Sequence, residues 1–308
     1  MSRTRTLNHP PRMLPLYARA AATAIPGASI IPGIGPGGGP IPDLALKLAN
    51  VNAEPNQLTA YRKLCVFPAD GQLPVTYPHI LAFGLHMRLL TDPAFPYPAV
   101  GLVHIENTII RSRRIPDTEQ LTLTVRCTPA EAHPKGWRFS ILTQATIAEE
   151  TVWGSTSTML RRATHPDDGS RAADRQPEQP APAGRASTWK LPRDLGRRYA
   201  AISQDRNPIH THPLAARALG FPGAIAHGMW TKARALASLH HELPEECNIE
   251  VSFQKPIVLP ATVALTSQHQ QSQIVFAVRD SLRATTHLHG RISKVPRTAV
   301  KPTKETPR

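Results

Sequence analysis

An aspartate and a histidine five positions apart are the side chains best suited to chemistry in this sequence. The segment from Tyr199 reads YAAISQDRNPIHTHPLAA and contains Asp205, Asn207 and His210. Pro208 prevents a regular helix and pushes Asn207 towards an extended conformation, so we predict a bent loop. Such a loop can turn a carboxylate and an imidazole to one side, where both could hold a water and move its proton. Taken alone, the pair is also typical of solvated turn residues.

A metal site is a second interpretation, because the sequence has two His-x-His pairs. They are His210 with His212 and His287 with His289. On strands the members of each pair would share a face, which suits a metal ion. No carboxylate or cysteine stands at ligand spacing beside either pair, so we predict no metal.

The elements that must position these residues occur twice in the same order. The first set is a helix over 78–90 and strands over 100–106, 120–127, 137–147 and 151–160. The second set is a helix over 228–240 and strands over 248–253, 262–267, 274–278 and 284–292. The strand over 120–127 is the clearest, because its apolar and polar residues alternate as in a half-buried antiparallel strand.

One offset relates the two sets. Pairs of like residues lie 148 positions apart: Pro74 and Pro222, His79 and His227, and Val103 and Val251. Three such matches could arise by chance, but the order of elements agrees with them. We therefore predict an α+β fold with two tandem copies of a central helix wrapped by an antiparallel sheet.

Changes in composition divide the chain into five segments. We predict a Gly- and Pro-rich N-terminal arm over 1–59 with a short helix near 43–50, a first repeat over 60–162, a polar linker over 163–187, a second repeat over 188–294 and a basic tail over 295–308. Counting back 148 positions from Asp205 and His210 reaches Gln57 and Arg62. The first repeat is therefore expected to have no catalytic loop.

The composition limits the class of protein. A chain of 308 residues can bury large cores without disulfides, and its 32 prolines oppose coiled coils and helical repeats. We predict no membrane span, because the longest apolar stretch is cut by prolines. Cys65, Cys127 and Cys247 form no CxxC pair, which favours a reducing compartment and hence the cytoplasm.

The charge balance indicates an anionic partner. The chain has 36 Lys and Arg residues and 22 acidic residues, which gives a net charge of +14. Nucleic acid, acidic membranes, acidic carrier proteins and phosphate-bearing cofactors such as coenzyme A are all compatible with this charge. We predict no nucleic-acid partner, because the chain lacks a recognisable binding motif and has few aromatic residues for base stacking.

The segment around Asp205 resembles the signature of the MaoC-like dehydratases, the R-specific enoyl-CoA hydratases of the hotdog fold. The residues in register are Tyr199, Ile202, Ser203, Asp205, Asn207, Pro208, Ile209, His210 and Ala216. The segments GFPGAIAHGM over 220–229 and VSFQKPIVLPATV from Val251 resemble the family's central helix entry and the strand beyond it. Gln204 departs from the pattern, since the family usually has Gly there, which permits a positive φ that Gln resists.

The resemblance implies a double-hotdog enzyme that reversibly hydrates trans-2-enoyl thioesters and dehydrates (3R)-hydroxyacyl thioesters. Coenzyme A or an acyl carrier protein would carry the substrate, with no further cofactor, and a homodimer is left open. Gln204 motivates an alternative, a non-catalytic hotdog protein that binds acyl thioesters or pairs with an active dehydratase subunit.

This reaction needs a proton-transfer pair and a donor to the thioester oxygen. We expect Asp205 and His210 to be the pair, with Ser203 and Asn207 fixing their loop. The donors are expected to be the backbone amides of Gly228 and Met229 at a helix start. His227, just before this helix, is interpreted as a hydrogen-bonding residue at the helix terminus.

Two further sets of residues are expected to bind the rest of the substrate. The acyl pocket is predicted where the two repeats meet, with Tyr77, His79, Phe83 and Trp230 in its wall and His86 as a lining or supporting residue. The phosphates of coenzyme A are predicted to contact Lys232, Arg234 and Lys255.

Overall fold

The computed structural model describes residues 3–23, 39–162, 182, 184–282 and 285–295. The first part of the chain forms β1 (Arg3–Leu7), α1 (Met13–Thr23), β2 (Leu44–Val51), α2 (Pro55–Cys65), α3 (Tyr77–Leu90), β3 (Leu102–Arg111), β4 (Leu121–Cys127), β5 (Glu131–His133), β6 (Gly136–Ile147) and β7 (Glu150–Arg162). None of the described helices, here or in the second part, is long and apolar enough to cross a membrane.

The second part forms β8 (Arg185–Leu191), α4 (Leu195–Ser203), α5 (Pro208–Thr211), α6 (Pro213–Ala218), α7 (Gly228–Ser238), a short 3-10 helix (His240–Glu242), β9 (Cys247–Phe253), β10 (Ala261–Gln270), β11 (Gln273–Asp280) and β12 (Thr286–Lys294). The two predicted long helices and eight predicted strands are all confirmed, with ends shifted by a few residues. Most of the predicted linker and nearly all of the predicted basic tail lie outside the described residues.

A single sheet joins the two parts. Its strand order is β1-β2-β4-β6-β7-β3-β9-β12-β11-β10-β8, and β5 pairs with β6 at the side. The pairs are antiparallel except β1 with β2. At the junction β3 pairs with β9, with Asn107 opposite Val251 and Ile109 opposite Ile249. The chain thus has two helix-and-sheet units that share one continuous sheet.

The helix predicted near residues 43–50 is wrong, because this segment is strand β2. Ala45, Leu46 and Leu48 are buried, and Leu46 lies opposite Val125 of β4. The sequence LALKLANV is apolar enough for either a helix or a strand. Its pairing along the edge of β4 makes it a strand. The segment predicted as an N-terminal arm therefore contributes strands to the sheet. The domain boundaries themselves stay a prediction.

Helix α3 is the buried centre of the first unit. Tyr77, Ile80, Leu85 and Leu89 are among its buried side chains, and it packs against β2, β4 and β6. Pro78 stands in its first turn, where a missing N–H costs nothing. Helix α7 has the corresponding place in the second unit, where it packs against β12. Residues near the start of each helix line one cavity, His79 and Ile80 from α3 and Gly228 and Met229 from α7.

A buried lysine ties α7 to the strands of the junction. Lys232 is fully buried, and its Nζ donates to the Asn107 carbonyl at 2.9 Å, the Asn107 Oδ1 at 2.6 Å and the Ile249 carbonyl at 3.2 Å. Asn107 in turn donates through Nδ2 to Ser155 and Ser157. Burial lowers the pKa of Lys232 well below its ordinary value. The prediction that Lys232 contacts coenzyme A phosphates is therefore wrong, because its three donors are directed at β3 and β9.

We expect Lys232→Met to destabilise the protein by about 2 kcal/mol or more, because buried oxygens of Asn107 and Ile249 would lose their donor. Urea unfolding followed by circular dichroism measures this change. Lys190→Met, at an exposed position on β8, is the matched control and should change stability by less than about 0.5 kcal/mol. Equal stability of the two variants would contradict a structural role for Lys232.

Candidate active site

The loop between α4 and α5 carries Asp205, and α5 itself carries His210. Helix α4 ends at Gln204, whose N–H donates to the Ala200 carbonyl. Asn207 caps α5, and its Oδ1 accepts from the Ile209 N–H at 3.3 Å. Pro208 stands at the first position of α5, so it begins a one-turn helix instead of excluding one. The predicted bend is real, but it is confined to residues 204–207.

Gln204 adopts the conformation that glycine would favour. Its φ is 61° and its ψ is 7°, in the left-handed region, and its side chain is exposed. A residue with a Cβ adopts this conformation at a cost of about 1 kcal/mol. The expectation that Gln resists the required geometry is therefore not met, since the loop takes that geometry with Gln in place.

Hydrogen bonds to neighbouring residues hold Asp205 in place. Its N–H donates to the Ser203 Oγ at 3.1 Å, and its Oδ1 accepts from the Asn207 N–H at 3.2 Å. The next amide, of Arg206, donates to the Tyr17 hydroxyl of α1 at 3.3 Å. Ser203 and Asn207 thus make the contacts expected of residues that fix the loop. The Asp205 side chain is 32% exposed, so a substrate can reach the carboxylate.

His210 is oriented by a backbone carbonyl. Its Nδ1 lies 2.8 Å from the Ile225 carbonyl oxygen, which can only accept, so Nδ1 carries a proton. The lone pair of the neutral ring is therefore on Nε2. Burial lowers the pKa of His210, and the nearby Asp205 charge partly opposes this shift. A Cβ on Gly196 would lie 1.9 Å from the His210 carbonyl oxygen, so only glycine lets α4 approach this closely.

His227 is the third member of the site. Its ring stacks on His210 with centroids 3.7 Å apart, and its Nε2 donates to the Asp205 carbonyl oxygen at 3.0 Å. The interpretation of His227 as a hydrogen-bonding residue at the start of α7 is confirmed, although its side chain bonds to the Asp205 carbonyl and makes no hydrogen bond that caps the helix. Burial and the neighbouring His210 lower the pKa of His227 well below its ordinary value, so it is neutral. His227 therefore holds the loop that bears Asp205.

Both units contribute to a cavity of about 1240 Å³ beside this loop. From the second unit it is lined by Asp205, His210, His227, Gly228 and Met229, and from the first unit by His79, Phe83, His86 and His104. The structure therefore brings the predicted proton-transfer pair, the predicted amide donors and three of the predicted acyl-pocket residues to one space.

Two predicted pocket residues lie elsewhere, which corrects their assignment. Tyr77 is fully buried and packs edge-on against Tyr61, with ring centroids 5.1 Å apart. Trp230 is directed at α2, where its Nε1 donates to the Leu64 carbonyl at 3.3 Å. Both side chains are on the faces of α3 and α7 that pack into the core, so neither lines the cavity.

The start of α7 faces the cavity at a point of close approach. A Cβ on Gly228 would lie 3.0 Å from the Phe253 ring, so a larger residue would press on β9. The first amides of a helix have no partner within it and lie at the positive end of its dipole. The amides of Gly228 and Met229 are therefore suitable donors to a negatively charged oxygen.

Three side chains of the site could also surround a metal ion. Ligand atoms of Asp205, His210 and His227 lie within 4.8 Å of one another. Of the predicted alternative ligands, His212 does not line the cavity, and His287 donates through Nδ1 to the Lys255 carbonyl. The donor set is compatible with a metal, and the expectation that the chain works without one stays a prediction.

Sequence reasoning missed Gly196, Tyr17 and His104 as parts of the site. Gly196 and Tyr17 act through contacts with the catalytic loop, and nothing in their local sequence marks them. His104 could have been found, since it lies on a predicted strand whose neighbouring Val103 takes part in the repeat offset.

The comparisons with known proteins agree with this geometry. Residues 172–290 match the family model described as MaoC like domain. The chain is 33% identical over 251 residues to 3-hydroxyacyl-thioester dehydratase X of Mycobacterium tuberculosis, which covers 80% of this chain and 85% of that protein.

Solved structures extend the similarity to three dimensions. The crystal structure of HtdX of M. tuberculosis matches this chain with a TM-score of 0.72 at 30% identity. The match covers 82% of this chain and 100% of that chain. A MaoC-like dehydratase from Phytophthora capsici has a TM-score of 0.66 at 18% identity, covers 83% and 97% of the two chains, and shows the same fold. The predicted α+β double-hotdog fold is confirmed, and the chain belongs to the MaoC-like dehydratases.

Proposed function

We propose that Asp205 and His210 activate a water for the reversible hydration of trans-2-enoyl thioesters and, in reverse, for dehydration of (3R)-3-hydroxyacyl thioesters. The observation that carries the proposal is the tautomer of His210. Its Nδ1–H is bonded to the Ile225 carbonyl, which leaves the Nε2 lone pair free, and a ring nitrogen of His210 lies within 4.8 Å of an Asp205 carboxylate oxygen in a shared cavity. A neutral imidazole held in this way is suited to act as a general base.

The reaction follows from these positions. In hydration, His210 Nε2 takes one proton from the water while the water oxygen bonds to the β-carbon of the enoyl thioester. The electron pair of the double bond moves towards the thioester oxygen, where the amides of Gly228 and Met229 stabilise the negative charge. The imidazolium, stabilised by Asp205, then returns its proton to the α-carbon. Dehydration runs through the same steps in reverse.

A basic rim supports the proposal that the thioester is carried by coenzyme A. Lys135, Arg138 and Arg162 of the first unit and Lys255 of the second line the cavity, and all four are exposed. Arg234, predicted to clamp phosphate, lies 4.6 Å over the Trp189 ring and donates to Ser238 instead. The proposed phosphate contacts are therefore mainly on the β5–β6 hairpin and β7, with Lys255 retained from the sequence prediction.

The remaining expectations are also proposals. The alternative of a non-catalytic binding protein rested on Gln204, and the left-handed geometry of that residue gives no support to it. We propose a cytoplasmic location because Cys65, Cys127 and Cys247 are all buried as free thiols. A homodimer stays a prediction.

Asp205→Asn and His210→Ala should each lower kcat at least about a hundredfold, because the first removes the charge that stabilises the imidazolium and the second removes the positioned base. Loss of enoyl absorbance with a trans-2-enoyl-CoA measures the rate. Asp194→Asn and His212→Ala are matched controls close in sequence, outside the cavity, and should keep nearly full activity. Full activity of Asp205→Asn or His210→Ala would overturn the site assignment.

The pH dependence should show the effect of Asp205 on His210. Burial keeps the pKa of His210 below 6.5, so the base form persists at neutral pH and hydration should decline only at more acidic pH. Because the Asp205 charge raises this pKa, Asp205→Asn should lower it further. NMR titration of the His210 ring signals tests this, and an unchanged or raised pKa in Asp205→Asn would contradict the proposed pairing.

Charge reversal at the rim should weaken binding of coenzyme A thioesters. We expect Arg162→Glu combined with Lys255→Glu to raise KM for an enoyl-CoA by about tenfold or more, since charge-assisted phosphate contacts are lost. An enoyl thioester of N-acetylcysteamine, which lacks phosphate, should show no such change. Arg126→Glu, at an exposed position outside the cavity, is the control variant. An unchanged KM for the enoyl-CoA would rule out these contacts.

A further inference from the structure

Three imidazoles, two buried and one half-buried, form a polar cluster in the part of the cavity that belongs to the first unit. His79 and His86 lie on α3 and His104 lies on β3, and all three line the cavity. The ring of His79 is 4.9 Å from that of His86 and 6.4 Å from that of His104, centroid to centroid. The proposed mechanism uses none of them. A pocket for plain hydrocarbon would be expected to have apolar side chains here.

The hydrogen bonds of this cluster are incomplete within the described residues. His86 is bonded through Nε2 to the Thr143 Oγ1 at 2.8 Å. Nδ1 of His79 and Nε2 of His104 are buried and have no hydrogen-bond partner in the described part of the chain. Each such atom costs about 1–3 kcal/mol when it is left without a partner. A ligand that supplied a partner would recover part of this energy.

The protonation state of the cluster limits the ligand. Burial lowers the pKa of His79 to about 4 and that of His104 to about 3, so both rings are neutral at pH 7. A neutral imidazole has one donor and one acceptor nitrogen. It pairs well with a hydroxyl or keto oxygen, and it offers no charge to balance a carboxylate.

The cluster is continuous with the proposed reacting centre. Gly228, at the amide donors, is in contact with the Phe253 ring, which lies 5.0 Å from the His104 ring, centroid to centroid. The Asp205 charge also acts on His79. An acyl chain whose thioester oxygen is bound at α7 can therefore extend past Phe253 to the imidazoles.

We propose that His79 and His104 bind an oxygen substituent on the acyl chain, so that the preferred substrates are enoyl or 3-hydroxyacyl thioesters with a further hydroxyl or keto group beyond the β-carbon. This inference rests on the proposed function, because it assigns the far end of the same cavity. It makes the two histidines specificity-determining residues and gives them no part in proton transfer.

The test compares enoyl-CoA substrates of equal chain length with and without a hydroxyl, placed in turn at successive carbons beyond the β-carbon. At the best position the hydroxylated substrate should have a kcat/KM about tenfold higher, the value of one recovered hydrogen bond. His79→Phe and His104→Phe should remove this preference, while His104→Gln, which keeps a donor and an acceptor, should retain part of it. Phe83→Leu, an apolar change in the same wall, should affect both substrates alike.

Each outcome decides the inference separately from the proposed function. Equal kcat/KM for the two substrates at every hydroxyl position would overturn the inference and leave the hydratase activity standing. A preference that persists in folded His79→Phe and His104→Phe would overturn it as well. If neither substrate is turned over, calorimetry with saturated acyl-CoA analogues decides, because tighter binding of the hydroxylated analogue supports the inference and equal binding contradicts it.

Discussion

The pairing of β3 with β9 is the constraint on which the rest of the structure depends. It makes one sheet from two units and brings α3 and α7 to either side of a common cavity. Lys232 reinforces this pairing, since one ammonium group bonds to oxygens of both strands. A buried lysine without a carboxylate among its hydrogen-bond partners is tolerated because every one of its donors has an acceptor.

The two units have diverged at the positions that the offset of 148 relates. Gln57, at the position that corresponds to Asp205, donates through Nε2 to the Ile202 carbonyl at 2.6 Å, at the end of the catalytic helix α4. Arg62, which corresponds to His210, forms an ion pair with Asp117 at 2.9 Å. In the first unit these positions therefore support structure, and Gln57 supports the catalytic loop of the other unit. The cavity is consequently asymmetric, with proton-transfer groups at one end and the histidine cluster at the other.

Much of the fold could be predicted because its strands alternate and its two central helices are rich in apolar residues. The alternation from Leu121 to Cys127 matches β4, and the run before Leu90 matches α3. Strand β2 was mistaken for a helix because its pattern has two adjacent buried residues, Ala45 and Leu46, and only its pairing with β4 resolves it.

The site could be predicted only as far as local sequence defines it. Asp205 and His210 lie in one short segment of the chain, on a loop and on the one-turn helix α5 that follows it, so their proximity follows from the chain itself. The contact of His227 with Asp205 joins residues 22 positions apart and depends on how α7 meets the loop. The direction of Lys232 towards the sheet and that of Trp230 away from the cavity likewise depend on how α7 is rotated about its axis. The sequence of a helix that is buried on most sides does not reveal this rotation.

In the proposed mechanism one reacting centre, formed by Asp205 and His210, opens into a cavity built by both units. A crystal structure of Asp205→Asn with a bound (3R)-3-hydroxyacyl-CoA tests this most directly. We expect the 3-hydroxyl oxygen within hydrogen-bond distance of His210 Nε2, the thioester oxygen at the amides of Gly228 and Met229, and the acyl chain against α3. A ligand whose 3-hydroxyl lies away from His210, or whose chain does not enter the first unit, would contradict it.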